Sequence, residues 1–229
     1  MSLKERTVLI TGGTRGIGHS IALKCASLGA NVAIASKTVV SSPRAPGTIF
    51  DAAEAVNQAG GRGLPIELDV RDMEGIERAV QTTADHFGGI DVVVNNAGAI
   101  QLLPTEQLSP KRFDLMHQIN VRAVWGLAHF AFPYLKRAQG AQFVTLSPPI
   151  SLAPQWFANH TAYTVSKYAM SMLAHGLAEE WRGSTVTAFS LWPRTTIATA
   201  AVALATPTTS RGTTRPRRAA AASRAIGTR

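Results

Sequence analysis

Tyr163 and Lys167 stand four residues apart in Ala-Tyr-Thr-Val-Ser-Lys-Tyr. On a helix, residues i and i+4 share one face, so this spacing aims a phenol and an ammonium at the same small volume. A pair of this kind suits proton exchange with a hydroxyl or carbonyl oxygen, because a neighbouring cation favours the phenolate. A free phenol has a pKa of about 10, and bringing it near 7 takes about 4 kcal/mol of preferential stabilisation of the anion. One ammonium in a partly dry cleft, helped by a further positive charge, supplies energies of that order. Upstream, Thr11-Gly12-Gly13-Thr14-Arg15-Gly16-Ile17-Gly18 follows an apolar run. Glycines at such a place let a strand turn tightly into a helix and let backbone approach a pyrophosphate, whose charge the helix N-terminus favours. Together the two features point to nicotinamide-dependent redox chemistry.

The glycine spacing is G-x-x-x-G-x-G rather than the G-x-G-x-x-G dinucleotide fingerprint. About twenty residues further on, where a carboxylate would bind the ribose 2′-hydroxyl of NAD, the chain reads Ala35-Ser36-Lys37. Lys37 and Arg15 instead offer two cations to a 2′-phosphate, which favours NADP.

Alternating elements have to position these residues. Apolar runs of strand type recur at 7–11, 31–35, 64–68, 90–94, 142–147 and 185–191. Stripes of helical period fill most gaps, among them Ile76, Val80, Thr83 and Phe87, and a longer one through Leu115, Ile119, Ala123, Leu127 and Tyr134. Strand and helix in alternation predict an α/β protein: a doubly wound parallel sheet of Rossmann type with helices on both faces. The segment 38–48, with Ser41-Ser42-Pro43 and Ala45-Pro46-Gly47, reads as a loop inserted after the second strand. Residues 1–205 are expected to form one NAD(P)-binding domain and 206–229 a basic, disordered tail. In that tail Pro, Thr, Arg and Ala replace periodic hydrophobes.

Composition narrows the classes. The 229 residues are 45% hydrophobic and 16% charged, the balance of a globular domain, and no apolar run approaches the ~20 residues of a membrane span. The N-terminus lacks the extended apolar region of a cleaved signal, which predicts a cytoplasmic protein. Cys25, the only cysteine, continues the stripe Ile17, Ile21, Cys25, Leu28 and reads as a buried core thiol. Six histidines without ligand spacing predict no metal. Of the net charge of +9, six arginines fall in 211–229; subtracting them leaves +3. The basicity thus belongs to the tail, and no specific nucleic-acid partner is expected.

Three motifs, Thr-Gly-x-x-x-Gly-x-Gly at 11–18, Asn95-Asn96-Ala97-Gly98 and Tyr163-x-x-x-Lys167, closely resemble the pattern of the short-chain dehydrogenase/reductase superfamily over about residues 4–199. Within it, Leu-Ser-Pro-Pro at 146–149, Ala-Glu-Glu at 178–180, Leu-Trp-Pro-Arg-Thr at 191–195 and the proline-rich insertion resemble the hydroxysteroid dehydrogenase-like protein 2 branch. The resemblance implies that Gly12, Gly16 and Gly18, with Thr14, Arg15 and Ile17 of the same turn, cradle the coenzyme. It implies that Asp69, followed by Val70, addresses the adenine and that Asn96, Ala97 and Gly98 line the coenzyme cleft. Asn120 would position a water in a proton relay, Ser147 would hydrogen-bond the substrate oxygen, and Tyr163 would exchange its proton. Lys167 would hold the nicotinamide ribose while lowering the tyrosine pKa, and Pro193, Thr195 and Thr196 would approach the nicotinamide.

Three departures stand out. Ser147 precedes Tyr163 by sixteen residues, longer than the usual family gap, so Ser151 competes for the hydroxyl role. Arg194 stands where the family has glycine after Pro193, and no seventh, edge strand is legible after Thr199. The abrupt change of composition suggests a reading frame or gene end altered relative to the family. The apolar loop through Pro148, Pro149, Ile150, Leu152, Trp156 and Phe157, with Trp192, suits a lipid-like or terpenoid alcohol or ketone. The expected partners are therefore a hydrophobic small molecule and a second copy of the chain, docked through the helices carrying Asn120 and Tyr163. A chain that kept the coenzyme site without a competent lid and edge strand would instead be a non-catalytic dinucleotide sensor or scaffold.

Overall fold

The computed structural model describes residues 2–43 and 46–192. Among the described residues six strands, β1 (Thr7–Thr11), β2 (Asn31–Ser36), β3 (Arg62–Glu67), β4 (Val92–Asn95), β5 (Ala141–Leu146) and β6 (Val186–Leu191), form one parallel sheet. Their order is β3-β2-β1-β4-β5-β6. The direction of winding reverses between β1 and β4, and ligands of doubly wound sheets bind outside the strand carboxyl ends at that reversal.

The helices are α1 (Gly16–Ala26), α2 (Ile49–Gln58), α3 (Met73–Phe87), α4 (Pro110–His117), α5 (Ala123–Leu135) and α6 (Thr161–Glu180). Alternate residues of the central strands go to opposite cores. Val8, Ile10, Val32 and Ile34 pack with Ala22 and Ala26 of α1 and Ile49, Ala52 and Val56 of α2. Leu9, Ala33, Val93 and Phe143 pack with α3, α5 and α6 through Ile76, Val80, Val124, Leu127, Met170 and Leu177. Burial on both faces explains why these strands read as continuous apolar runs instead of alternating ones.

Strand β1 lies where the apolar run places it, and the other strands fall within two residues of expectation. Strand β3 starts earlier, at Arg62, since an edge strand needs no apolar pattern along its whole length, and it tolerates Pro65. Strand β4 starts later: Asp91 is turned to other use, its carboxylate accepting from Arg6 and from the Thr7 N–H. The inserted loop ends at a capping box in which the Thr48 hydroxyl accepts from the Asp51 N–H and Asp51 accepts from the Thr48 N–H, starting α2.

Two readings are corrected. The stripe from Leu115 to Tyr134 is not one helix: Gln118–Arg122 is a π-helical turn between α4 and α5, a feature frequent at functional sites. Cys25 is half-buried at the flank of the core, because the face of α1 pressed on the sheet is Gly18, Ala22 and Ala26. Residues that small let the helix approach closely, leaving Ile17, Ile21 and Cys25 beside the contact. The expected tail, the absent seventh strand, and Pro193, Arg194, Thr195 and Thr196 lie outside the described residues. Among the described residues no helix is long and apolar enough to cross a membrane.

Candidate active site

The glycine-rich turn joins β1 to α1 and is held from two sides. The Gly12 N–H donates to the Ala35 carbonyl at 2.8 Å, and the Asn96 Nδ2 donates to the Thr11 and Gly12 carbonyls at 2.9 and 3.0 Å. Thr11 returns the link, its hydroxyl accepting from the N–H groups of Asn96 and Ala97, both at 3.1 Å. Asn96 is thus the clasp between β4 and the turn. Neighbouring atoms fill the space side chains would need: a Cβ at Gly12, whose φ is +68°, would lie 3.1 Å from the Ala97 Cα, and one at Gly18 would lie 2.4 Å from the Asn96 side-chain Nδ2 and 2.7 Å from the Gly12 carbonyl oxygen. Helix α1 begins without a side-chain cap and without an acid in its first turn. Its N–H groups are left to an anion. A glycine cradle opening on an uncapped helix N-terminus fits a pyrophosphate, so these residues suit a dinucleotide.

Arg15, in the glycine turn, and Lys37, just beyond β2, are exposed. Asp69 is committed to Arg71, whose Nε donates at 2.9 and 3.0 Å to its two carboxylate oxygens. The guanidinium, with Lys37 adding its charge, holds the Asp69 carboxyl below the usual aspartate range.

At the other end, Tyr163 and Lys167 project from the first half of α6. The Lys167 Nζ donates to the Leu146 carbonyl at the end of β5, 2.8 Å away, and burial pushes its pKa down to about 8. Burial also pushes the Tyr163 phenol up. From sequence, Lys167 and a further positive charge together are expected to bring the phenol down; in the protein by itself desolvation prevails, because a site dry enough to strengthen charge interactions also penalises each isolated charge.

Asn120, fully buried in the π-helical turn, bridges the loop after β4 to α6. Its Oδ1 accepts from the Ala99 N–H at 2.8 Å, and its Nδ2 donates to the Ala99 carbonyl at 2.9 Å and to the Ser166 hydroxyl at 3.0 Å. Ser147 is fully buried just beyond β5, its hydroxyl donating to the Ser190 hydroxyl on β6 at 3.0 Å. Ser151 is half-buried in the following loop and accepts from the Ala153 N–H at 3.4 Å. Two hydroxyls pin this loop to α6: Thr164 donates to the Trp156 carbonyl and Ser171 to the Pro148 carbonyl, both at 2.5 Å. The loop's apolar side chains do not enter the core, Leu152 being 83% and Trp156 55% exposed.

The fold therefore gathers the glycine turn, Lys37, Asp69, Asn96, Asn120, Ser147, Tyr163 and Lys167 along the carboxyl edge of the sheet. From sequence, Arg71 and Ser190 carry no role, and Thr11 and Ser166 appear only as members of motifs, without the partners they hold. Asn95 and Thr145, register partners on β4 and β5, are also buried, and their side-chain polar groups make no hydrogen bond to the protein. Groups of this kind pair with ordered water.

Comparison with known proteins agrees with this geometry. The short chain dehydrogenase family matches residues 6–208. This chain belongs to that family. Hydroxysteroid dehydrogenase-like protein 2 of Bos taurus is 50% identical over 196 residues, which are 86% of this chain and 47% of that protein. The chain thus spans about half the length of the curated relatives it matches. A short chain dehydrogenase from Mycobacterium thermoresistibile superposes with a TM-score of 0.84 at 46% identity, covering 88% of this chain and 71% of that one. More distant structures include a metagenomic short-chain oxidoreductase in complex with NADP, with a TM-score of 0.76 at 27% identity, 85% of each chain being covered. An NADH-dependent reductase complexed with NAD has a TM-score of 0.70 at 25% identity, with 80% of this chain and 76% of that one covered.

Proposed function

We propose that the protein is an NADP-preferring oxidoreductase that interconverts a hydrophobic alcohol and its carbonyl compound. The observation that carries this reading is the convergence of an uncapped glycine cradle and the Tyr163 and Lys167 pair on one edge of the sheet, in a chain of this family. A bound nicotinamide would supply or accept the hydride. In reduction Tyr163 gives its phenolic proton to the carbonyl oxygen as that oxygen becomes a hydroxyl; in oxidation the phenolate takes the proton back. Lys167, held against the Leu146 carbonyl, is placed to bind ribose hydroxyls and to favour the phenolate once further positive charge enters the cleft. Asn120 fixes Ser166, the residue before Lys167, and so the turn of α6 that carries the lysine.

The substrate oxygen takes a hydrogen bond from Ser147, which ends β5 beside the Leu146 carbonyl. Solvent access supports a second reading, in which Ser151 does so, because Ser147 is buried and engaged by Ser190 while Ser151 is half-exposed. Arg15 and Lys37 would meet a 2′-phosphate, Gly16, Ile17 and Gly18 the pyrophosphate at the α1 N-terminus, Asp69 and Val70 the adenine, and Ala97 and Gly98 the cleft floor. Pro193, Thr195 and Thr196 would meet the nicotinamide. The exposed apolar side chains Ile150, Leu152 and Trp156 of the loop after β5, with Trp192 after β6, support a lipid-like or terpenoid substrate over a sugar. Exposed Trp125 on α5, with Val165 and Met172 on α6, supports pairing of two copies through these helices. The test is a screen of hydrophobic alcohols and ketones with NADP(H) and NAD(H), followed at the nicotinamide absorbance. The reading predicts turnover, faster with NADP(H). Tight coenzyme binding without turnover of any of them would point to a dinucleotide sensor.

A further inference from the structure

Four charges stand at or just beyond the carboxyl ends of β2 and β3: Lys37, Glu67, Asp69 and Arg71. The two strands are parallel neighbours in register through Ser36 and Glu67, and the Leu68 N–H donates to the Ser36 carbonyl at 3.1 Å. Lys37 therefore leaves the sheet beside Leu68, one residue before Asp69, near enough for its charge to reach the Asp69 carboxylate. Arg71 reaches back over the turn that follows. Its backbone N–H donates to Asp69 Oδ1 at 3.0 Å, its Nε to Oδ1 and Oδ2 at 2.9 and 3.0 Å, and its Nη2 to Oδ2 at 2.5 Å. One guanidinium thus takes up both oxygens, the bidentate geometry that distinguishes arginine from lysine. The turn is held from the helical side too, the Arg71 carbonyl accepting from the Arg122 Nη1 at 3.1 Å. The charge of Lys37 acts on the same carboxylate.

We propose that Arg71 is a coenzyme-specificity residue acting through Asp69: by taking up the carboxylate it leaves Lys37 free for the 2′-phosphate. The inference rests on the NADP reading above. A bare carboxylate in this place would draw the Lys37 ammonium to itself and repel a phosphate, and such like-charge juxtaposition is a common way for a site to reject a ligand. Arg71 offsets the charge of Asp69; without it that carboxylate opposes Lys37 directly. The pair is partly exposed, so its worth to stability is small. Its consequence falls on the ligand's charge. Arg71 is a positioning residue, since it acts on the coenzyme through its neighbour.

The test is calorimetric titration of wild type, Arg71→Ala, Arg71→Gln, Asp69→Asn and the Arg71→Ala/Asp69→Asn double variant with NADP and with NAD. The ratio Kd(NAD)/Kd(NADP) is the readout. Arg71→Ala and Arg71→Gln should each lower the ratio roughly tenfold, with NAD affinity changed less than about threefold. Adding Asp69→Asn to Arg71→Ala should return the ratio to within about threefold of wild type, an outcome that a merely structural role for Arg71 would not produce. Melting curves show which variants are folded, and Arg71→Gln keeps the test open should the alanine variant fail. An unchanged ratio in the Arg71 variants, or a ratio that Asp69→Asn does not restore, overturns the proposal. A wild-type ratio at or below one overturns the NADP reading instead, and the change of ratio on Arg71→Ala still decides the role of Arg71.

Discussion

An alanine at position 18 would place its Cβ 2.4 Å from the Asn96 Nδ2 and 2.7 Å from the Gly12 carbonyl oxygen. Neither neighbour is a yielding tip. The amide is pinned by its bonds to the Thr11 and Gly12 carbonyls, and the Gly12 N–H is tied to Ala35. Pushing the amide aside loses two partly buried hydrogen bonds worth about 1 kcal/mol each. Crowding of α1 against the turn adds about 1–3 kcal/mol, and the helix propensity of alanine returns up to ~1 kcal/mol. The net cost is about 2–4 kcal/mol, and at ~2–4 °C per kcal/mol for a domain of this size Gly18→Ala should melt roughly 5–15 °C lower. Thermal denaturation followed by circular dichroism reads this directly. Coenzyme titration should weaken in parallel, because the displaced atoms form the cradle. Adding Asn96→Ala removes one of the two clashes, so the double variant should lose less than the sum of the singles, with a coupling of at least about 1 kcal/mol. A Gly18→Ala protein that melts within about 2 °C of wild type, or a strictly additive double variant, would refute the clasp between Asn96 and the turn.

Two further outcomes follow from the buried groups. Because burial lowers the Lys167 pKa to about 8, the native chain bears the full cost of a buried ammonium below pH 8. Between there and the ordinary lysine value the unfolded chain holds a proton the native chain has released, so this cost falls as pH rises. Lys167→Met should therefore melt roughly 2–8 °C above wild type at pH 7, with the advantage shrinking as the pH is raised through 8 and above; a constant difference would contradict this. Ser147→Ala should lower kcat by about 10²-fold and Ser151→Ala by less than about threefold, measured at saturating coenzyme; the reverse order would move the hydroxyl role to Ser151.

Much of the architecture was legible because strands buried on both faces announce themselves as short apolar runs, and glycines mark where β1 must turn into α1. The harder features lacked such a signal. The π-helical turn keeps the four-residue spacing of Leu115, Ile119, Ala123 and Leu127, so the pattern that proposes a helix does not reveal an altered hydrogen-bond ladder. The buried face of α1 was misjudged for a related reason: Ile17, Ile21 and Cys25 are the larger residues, but close approach to the sheet selects the small ones. In the site, motif residues were found where strand ends and helix faces place them, whereas Ser166, Ser190 and Arg71 became visible only through their bonds to Asn120, Ser147 and Asp69. Polar partners carry no periodicity, and strands distant in sequence bring them together.

The most direct test of the proposed chemistry is to measure coenzyme affinity and turnover in wild type and Tyr163→Phe, using a substrate that wild type turns over. The substitution keeps the ring and removes only the transferable proton. Turnover should fall by at least about 10²-fold, while the NADP dissociation constant changes by less than about threefold. A Tyr163→Phe protein that retains most of the wild-type rate would contradict the assignment of Tyr163 as the proton donor and acceptor.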